Sequence, residues 1–73
     1  MPILDVVCEV TGKVWKVEAL VGTSVEEDDP LVVVESMKME IPVGAPEDGV
    51  LVELCVGEGD AVVDGQVLAR IEV

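Results

Sequence analysis

Leu31-Val32-Val33-Val34-Glu35-Ser36-Met37-Lys38-Met39-Glu40-Ile41-Pro42-Val43 holds most of the architecture in one run. Valine is β-branched, fits a pleated and half-buried surface, and is only a middling helix former. Leu31-Val32-Val33-Val34 is a strand-sized apolar run, and residues 31–35 and 39–43 read as two strands. The residues between them then form the tip of a hairpin.

Working outward, valine makes up about a quarter of the chain, and no window sustains an apolar stripe at i, i+3, i+4, i+7. Turn signals arrive every 8 to 12 residues or so, the spacing of an all-β sandwich or barrel. Strands are expected at 3–8, 14–19, 24–25, 31–35, 39–43, 50–56, 61–63 and 67–73. The turns between them are Thr11-Gly12, Gly22-Thr23, Glu27-Asp28-Asp29-Pro30, Gly44-Ala45-Pro46-Glu47-Asp48-Gly49, Gly57-Glu58-Gly59-Asp60 and Asp64-Gly65-Gln66. No helix is needed.

An internal repeat supports this reading. At an offset of 37 residues, 12–35 aligns with 49–72 without a gap. Identities fall at Gly12/Gly49, Gly22/Gly59, Val25/Val62, Leu31/Leu68 and Glu35/Glu72, and both glycine pairs that fall at turns coincide. Two copies of a four-strand unit imply two small antiparallel four-stranded sheets related by a pseudo-twofold, a flattened eight-stranded barrel in which each unit covers the other's apolar face. The segment after the first copy, Glu35-Ser36-Met37-Lys38-Met39-Glu40, has no counterpart, because the second copy runs to Val73.

Seventy-three residues are expected to make one domain spanning 1–73, with a thin core. Four Lys and Arg face sixteen Asp and Glu, a formal charge of −12, and there is no His. That balance argues against nucleic-acid binding, which relies on clustered cations. Without His, the Ser-His-Asp, Cys-His and His-metal constellations are excluded. No apolar run approaches a membrane span, and Met1-Pro2-Ile3-Leu4-Asp5 lacks the basic start and long apolar stretch of an export signal, so a cytoplasmic location is expected. Cys8 and Cys55 match no metal spacing and sit in apolar stretches, so both are expected as buried reduced thiols, a disulfide being the alternative.

Of the four cations, only Lys38 is expected on a protruding turn. An exposed ε-amine can form an amide when another enzyme supplies an activated acyl group and removes the proton. With Glu35 and Glu40 beside it, this lysine reads as a substrate for modification and not as a base. Met37 and Met39 are poor turn formers, but their soft side chains suit a surface that another protein recognises. Packing at an edge of the barrel is the alternative for either one.

Glu35-Ser36-Met37-Lys38-Met39-Glu40 resembles the attachment motif of biotinyl domains, whose core is Ala/Ser-Met-Lys-Met. The likeness continues through Ala45-Pro46-Glu47-Asp48-Gly49-Val50, Gly57-Glu58-Gly59-Asp60-Ala61-Val62 and Gly65-Gln66-Val67-Leu68. Its length resembles the small biotin/lipoyl attachment proteins and the carrier subunits of acyl-CoA carboxylases. The resemblance implies a modified lysine between strands four and five, with biotin on Lys38 and Met37 and Met39 as recognition flank, Glu35, Ser36 and Glu40 completing the motif. It implies a non-catalytic carrier served by three partners: a biotin protein ligase, a biotin carboxylase and a carboxyltransferase acting on an acceptor that is an acyl-CoA in most relatives. A lipoyl carrier, or a dual biotin/lipoyl attachment protein, on the same fold is the runner-up, although lipoyl domains place Asp before the lysine and Ala after it. A β-module that only binds protein is the third reading. Where the family usually has Gly in the first-half turn matching Gly65, this chain has Asp28, which implies a strained but feasible left-handed residue. The gap-free repeat leaves no room for the thumb insertion often seen in bacterial acetyl-CoA carboxylase carriers.

Other features carry less. Trp15 is either a docking anchor or an ordinary half-exposed strand residue. Glu26-Glu27-Asp28-Asp29 serves solubility more readily than docking. Gly57-Glu58-Gly59-Asp60 has no following helix and is not read as a phosphate loop.

Overall fold

Residues 2–73 are described by the computed structural model. Its strands are β1 (Ile3–Val7), β2 (Gly12–Val17), β3 (Ser24–Val25), β4 (Pro30–Ser36), β5 (Met39–Gly44), β6 (Gly49–Leu54), β7 (Ala61–Val62) and β8 (Val67–Glu72). All eight expected strands are present, with ends moved by one or two residues. β2 begins at Gly12 because Gly12 and Lys13 pair with Val62 and Ala61, and it ends at Val17, leaving Glu18 and Ala19 outside. Similarly, β6 stops at Leu54, short of the expected 56.

Two antiparallel sheets result, ordered β1-β8-β6-β3 and β5-β4-β2-β7. The 37-residue offset maps one order onto the other strand by strand, so the repeat is structural. It is also interleaved, which the sequence reading missed. The two-residue strand β3 leaves its own half to pair with β6, and β7 leaves its half to pair with β2. Neither sheet belongs to one copy alone.

Backbone hydrogen bonds repeat at the same offset. The amide of Val14 donates to the carbonyl of Asp60 at 2.8 Å, as Leu51 does to Thr23 at 3.0 Å. Gly59 donates to Val14 at 2.8 Å, as Gly22 does to Leu51 at 2.7 Å. Even the irregularities match, with a bulge at Trp15 between Val14 and Lys16 and another at Val52 between Leu51 and Glu53. The ladder also extends past the aligned residues, although the hairpin turn itself has no counterpart. Where Ser36 pairs with Met39, the related position is a backbone bond of 3.0 Å from Val73 N to Pro2 O.

The inner faces close over a core of aliphatic side chains. Leu31, Val32, Val34, Leu51, Leu68 and Ile71 are essentially solvent-free. Each contributes about 1.5–3 kcal/mol relative to an exposed position. Seven core pairs are repeat mates: Cys8/Ala45, Val14/Leu51, Ala19/Val56, Val25/Val62, Leu31/Leu68, Val32/Ala69 and Val34/Ile71. Asp28 sits at φ 70° in the turn where Gly65 sits at φ 91°, the left-handed conformation expected of it. Cys8 is buried and its thiol donates to the Val10 carbonyl at 2.9 Å. Cys55 corrects the expectation of two buried thiols. It lies just past the end of β6, is exposed, and has its sulfur 3.5 Å from Arg70 Nη1; no disulfide joins the two cysteines. The bulge at Val52 shifts the in-out alternation before Cys55 is reached, which a simple strand to 56 does not anticipate.

Candidate functional site

The β4–β5 hairpin is long in register and short in its turn. Val34 pairs with Ile41, Glu35 with Glu40 and Ser36 with Met39, so only Met37 and Lys38 remain to make the connection. Both are left-handed, at φ 51° and 66°. Two positive-φ residues make the hairpin turn whose twist matches the flanking strands, a place that favours Asn-Gly. Met and Lys are costly there, since a left-handed L-residue costs about 1–2 kcal/mol. Strain retained at an exposed tip is a mark of function.

The turn holds its side chains away from the barrel. Met37 is 92% exposed and Met39 65%, which rules out the alternative that they pack at the barrel edge. Lys38 is exposed, and among the described residues its ammonium makes no ion pair within 4.0 Å. Glu35 and Glu40 are exposed and face each other directly across the two strands, with Lys13 of β2 opposite Glu35 on the other side. Like charges placed directly opposite are destabilising, and Lys13 on the other side of Glu35 offsets the Glu35–Glu40 repulsion.

The root of the hairpin is fastened by contacts that the sequence did not reveal. The Ser36 hydroxyl donates to the Thr11 carbonyl at 2.8 Å, and the Thr11 hydroxyl accepts from the Asp64 amide at 3.2 Å. Gly12 lies so close to Glu35 that a Cβ would collide with the Glu35 carbonyl oxygen. The Gly12/Gly49 identity was the one available signal of that close approach. Thus Glu35, Ser36, Met37, Lys38, Met39 and Glu40 are brought together as the motif expects, on a rigid base with a free tip.

This arrangement leaves the Lys38 amine open to a covalent group brought by another protein. No acid or base touches the Lys38 amine among the described residues, and no group of His, Cys, Asp or Glu there could hold a metal ion. A covalent group on Nζ fits without displacing anything, because the amine already stands in open solvent.

Comparison with known proteins bears on what that group is. The family model described as "Biotin-requiring enzyme" matches residues 3–71. The chain is 37% identical over 68 residues to the biotin/lipoyl attachment protein of Bacillus subtilis, covering 93% of both. It is 46% identical over 61 residues to the biotin-dependent acyl-coenzyme A carboxylase alpha3 subunit of Mycobacterium leprae, covering 84% of this chain and 10% of that one. Among solved structures, the urea carboxylase of Kluyveromyces lactis superposes with a TM-score of 0.94 at 35% identity, over 99% of this chain and 6% of that one. The chain spans between 4% and 10% of the length of the larger curated relatives it matches.

Proposed function

The chain belongs to the biotin-requiring enzyme family as a biotinyl domain, and on that premise we propose that Lys38 is the residue that carries its biotin. The supporting observation is the position of Lys38 at a two-residue left-handed turn, exposed between Met37 and Met39 and touched by no acid or base.

In this reading Lys38 Nζ, deprotonated in the site of a biotin protein ligase, attacks the activated acyl carbon and expels AMP. An amide replaces an ammonium, and the formal charge moves from −12 to −13. Bound biotin supplies a ureido ring that accepts a carboxyl group in one active site and gives it up in another. The chain holds the arm out on a stiff hairpin, which raises the arm's effective concentration at both sites. The Ser36–Thr11 bond and the tight Gly12–Glu35 contact keep the hairpin root from flexing away from the barrel. Its partners are the ligase, a biotin carboxylase and a carboxyltransferase, with an acyl-CoA as acceptor; the likeness to the acyl-coenzyme A carboxylase subunit supports that last choice.

Intact mass of the protein from its native host, followed by peptide mapping, tests the reading. A biotin-sized increment on Lys38, absent from Lys38→Arg, is expected. An unmodified lysine in the presence of a ligase would overturn the carrier role. A lipoyl-sized increment would move the chain to acyl-transfer or redox complexes.

A further inference from the structure

The pseudo-twofold fails in one row of outward side chains. On one sheet that row is Glu53, Arg70 and Asp5, in register across β6, β8 and β1. Arg70 closes it, donating from Nη1 to Glu53 Oε1 at 2.6 Å and from Nε to Asp5 Oδ1 at 3.0 Å. The related row on β2, β4 and β5 is Lys16, Val33 and Pro42, which has no such closure. Lys16 turns instead to Glu18 of its own chain segment at 3.3 Å. Beside it stands Trp15, the only aromatic ring, 50% exposed at the bulge where the other sheet has Val52. Lys13, one row nearer the hairpin, makes no ion pair among the described residues. One outer face is sealed by its own charges; the other presents an apolar centre, with Lys16 beside Glu18 and Lys13 in the row of Glu35 and Glu40.

We propose that the outer face of the β5-β4-β2-β7 sheet, with Trp15 at its centre and Lys13 and Lys16 at its rim, is where the biotin-attaching ligase docks. The matching ligase surface is an apolar pocket edged by carboxylates. This inference rests on Lys38 as the attachment residue.

Two physical arguments select that occupant. The hairpin rises from this same sheet, and only about 10 Å of strand separates Val33 from Ser36 at the start of the turn. The ligase must also bring the lysine amine itself into its active site, before any arm exists. Its surface therefore has to lie against the hairpin and the sheet beneath it. Enzymes that act at the far end of the arm meet it several bond lengths beyond the tip and need no such contact. A half-buried indole is the residue type most often found to anchor a protein interface, and the lysines give the encounter its electrostatic complement.

Trp15→Val tests this with little risk to folding, because the scaffold already holds a valine at the equivalent bulge, Val52. With the unmodified full chain as substrate and purified biotin protein ligase, KM for the chain is expected to rise about tenfold in Trp15→Val while kcat stays within about twofold. Trp15 emission in the unsubstituted chain is expected to shift to the blue when ligase is added. Lys13→Glu with Lys16→Glu should raise KM at low salt, and the effect should shrink as salt is added. Unchanged KM with unshifted emission overturns the proposal. So does a Trp15→Val effect seen with a biotin carboxylase and not with the ligase. Lys38→Arg is run alongside: biotin incorporated into that variant would overturn the attachment residue itself, and the docking face with it.

Discussion

Asp28 and Gly65 occupy the same turn in the two halves, at φ 70° and 91°. Each donates its amide to the residue just past the end of another strand, Asp28 to the Ala45 carbonyl after β5 at 2.9 Å and Gly65 to the Cys8 carbonyl after β1 at 2.7 Å. The bonds are the same and the residues are not, so one of the two turns carries left-handed strain that the other avoids. Asp28→Gly removes a side chain from that conformation and is expected to stabilise the chain by about 0.5–1 kcal/mol, net of the added freedom of the unfolded state. Urea denaturation at fixed m-value reads the change, and an unchanged or lower midpoint contradicts it.

The position of the lysine within the turn should matter as much as its presence. In the paired variant Lys38→Met with Met39→Lys, the amine moves from the left-handed turn to the first residue of β5, opposite Ser36. The motif keeps its composition, and the charge is unchanged. Mass spectrometry after incubation with ligase and biotin should find no increment. Full incorporation would mean that the enzyme reads any exposed lysine on this loop.

The two thiols should behave differently in the native state. Cys55 is exposed and Cys8 is fully buried with its thiol bonded to Val10. One equivalent of an alkylating reagent should react at once, at Cys55, and the second only after denaturant is added. Two fast equivalents would show that the Cys8 pocket opens without unfolding.

Gly12 and Gly49 make equivalent close approaches, to the Glu35 and Glu72 carbonyl oxygens. Alanine at either place forces strands apart, at an expected cost of about 1–3 kcal/mol. Only Gly12 lies at the root of the hairpin. Gly12→Ala should therefore slow biotinylation beyond its effect on stability, whereas Gly49→Ala should lower stability alone. Equal kinetic effects from both would remove the hairpin root from the account.

The parts of the molecule that were legible in its sequence are those governed by local chemistry. The Val-rich runs give strands, Gly22, Gly59 and Gly65 give turns, and the Met37-Lys38 pair between two strands gives an exposed tip. The left-handed Asp28 followed from the family resemblance, which puts Gly at that turn. The exchange of β3 and β7 between halves was not legible, because a two-residue strand has no periodicity and its partner is chosen by tertiary packing. Cys55 was misplaced because a bulge at Val52 changes the phase of the strand without marking the sequence. The Ser36–Thr11 bond joins residues 25 apart, and the Arg70–Asp5 pair residues 65 apart; no local pattern predicts either. At the tip the left-handed cost at Met37 and Lys38 runs against intrinsic turn preference, which is where local reasoning and function part company.

The exchange of β3 and β7 has one more result. Neither half can finish a sheet by itself, since each lends its short strand to the other. Gly12, which braces Glu35, is paired to Val62 from the far half, and Thr11, which holds Ser36, is held in turn by Asp64. The lysine turn is thus assembled only when both halves have docked, and a half-formed or unravelled chain has no tip to offer. On the proposed role of Lys38, attachment of the prosthetic group is expected to report that both halves had docked when the ligase met the chain.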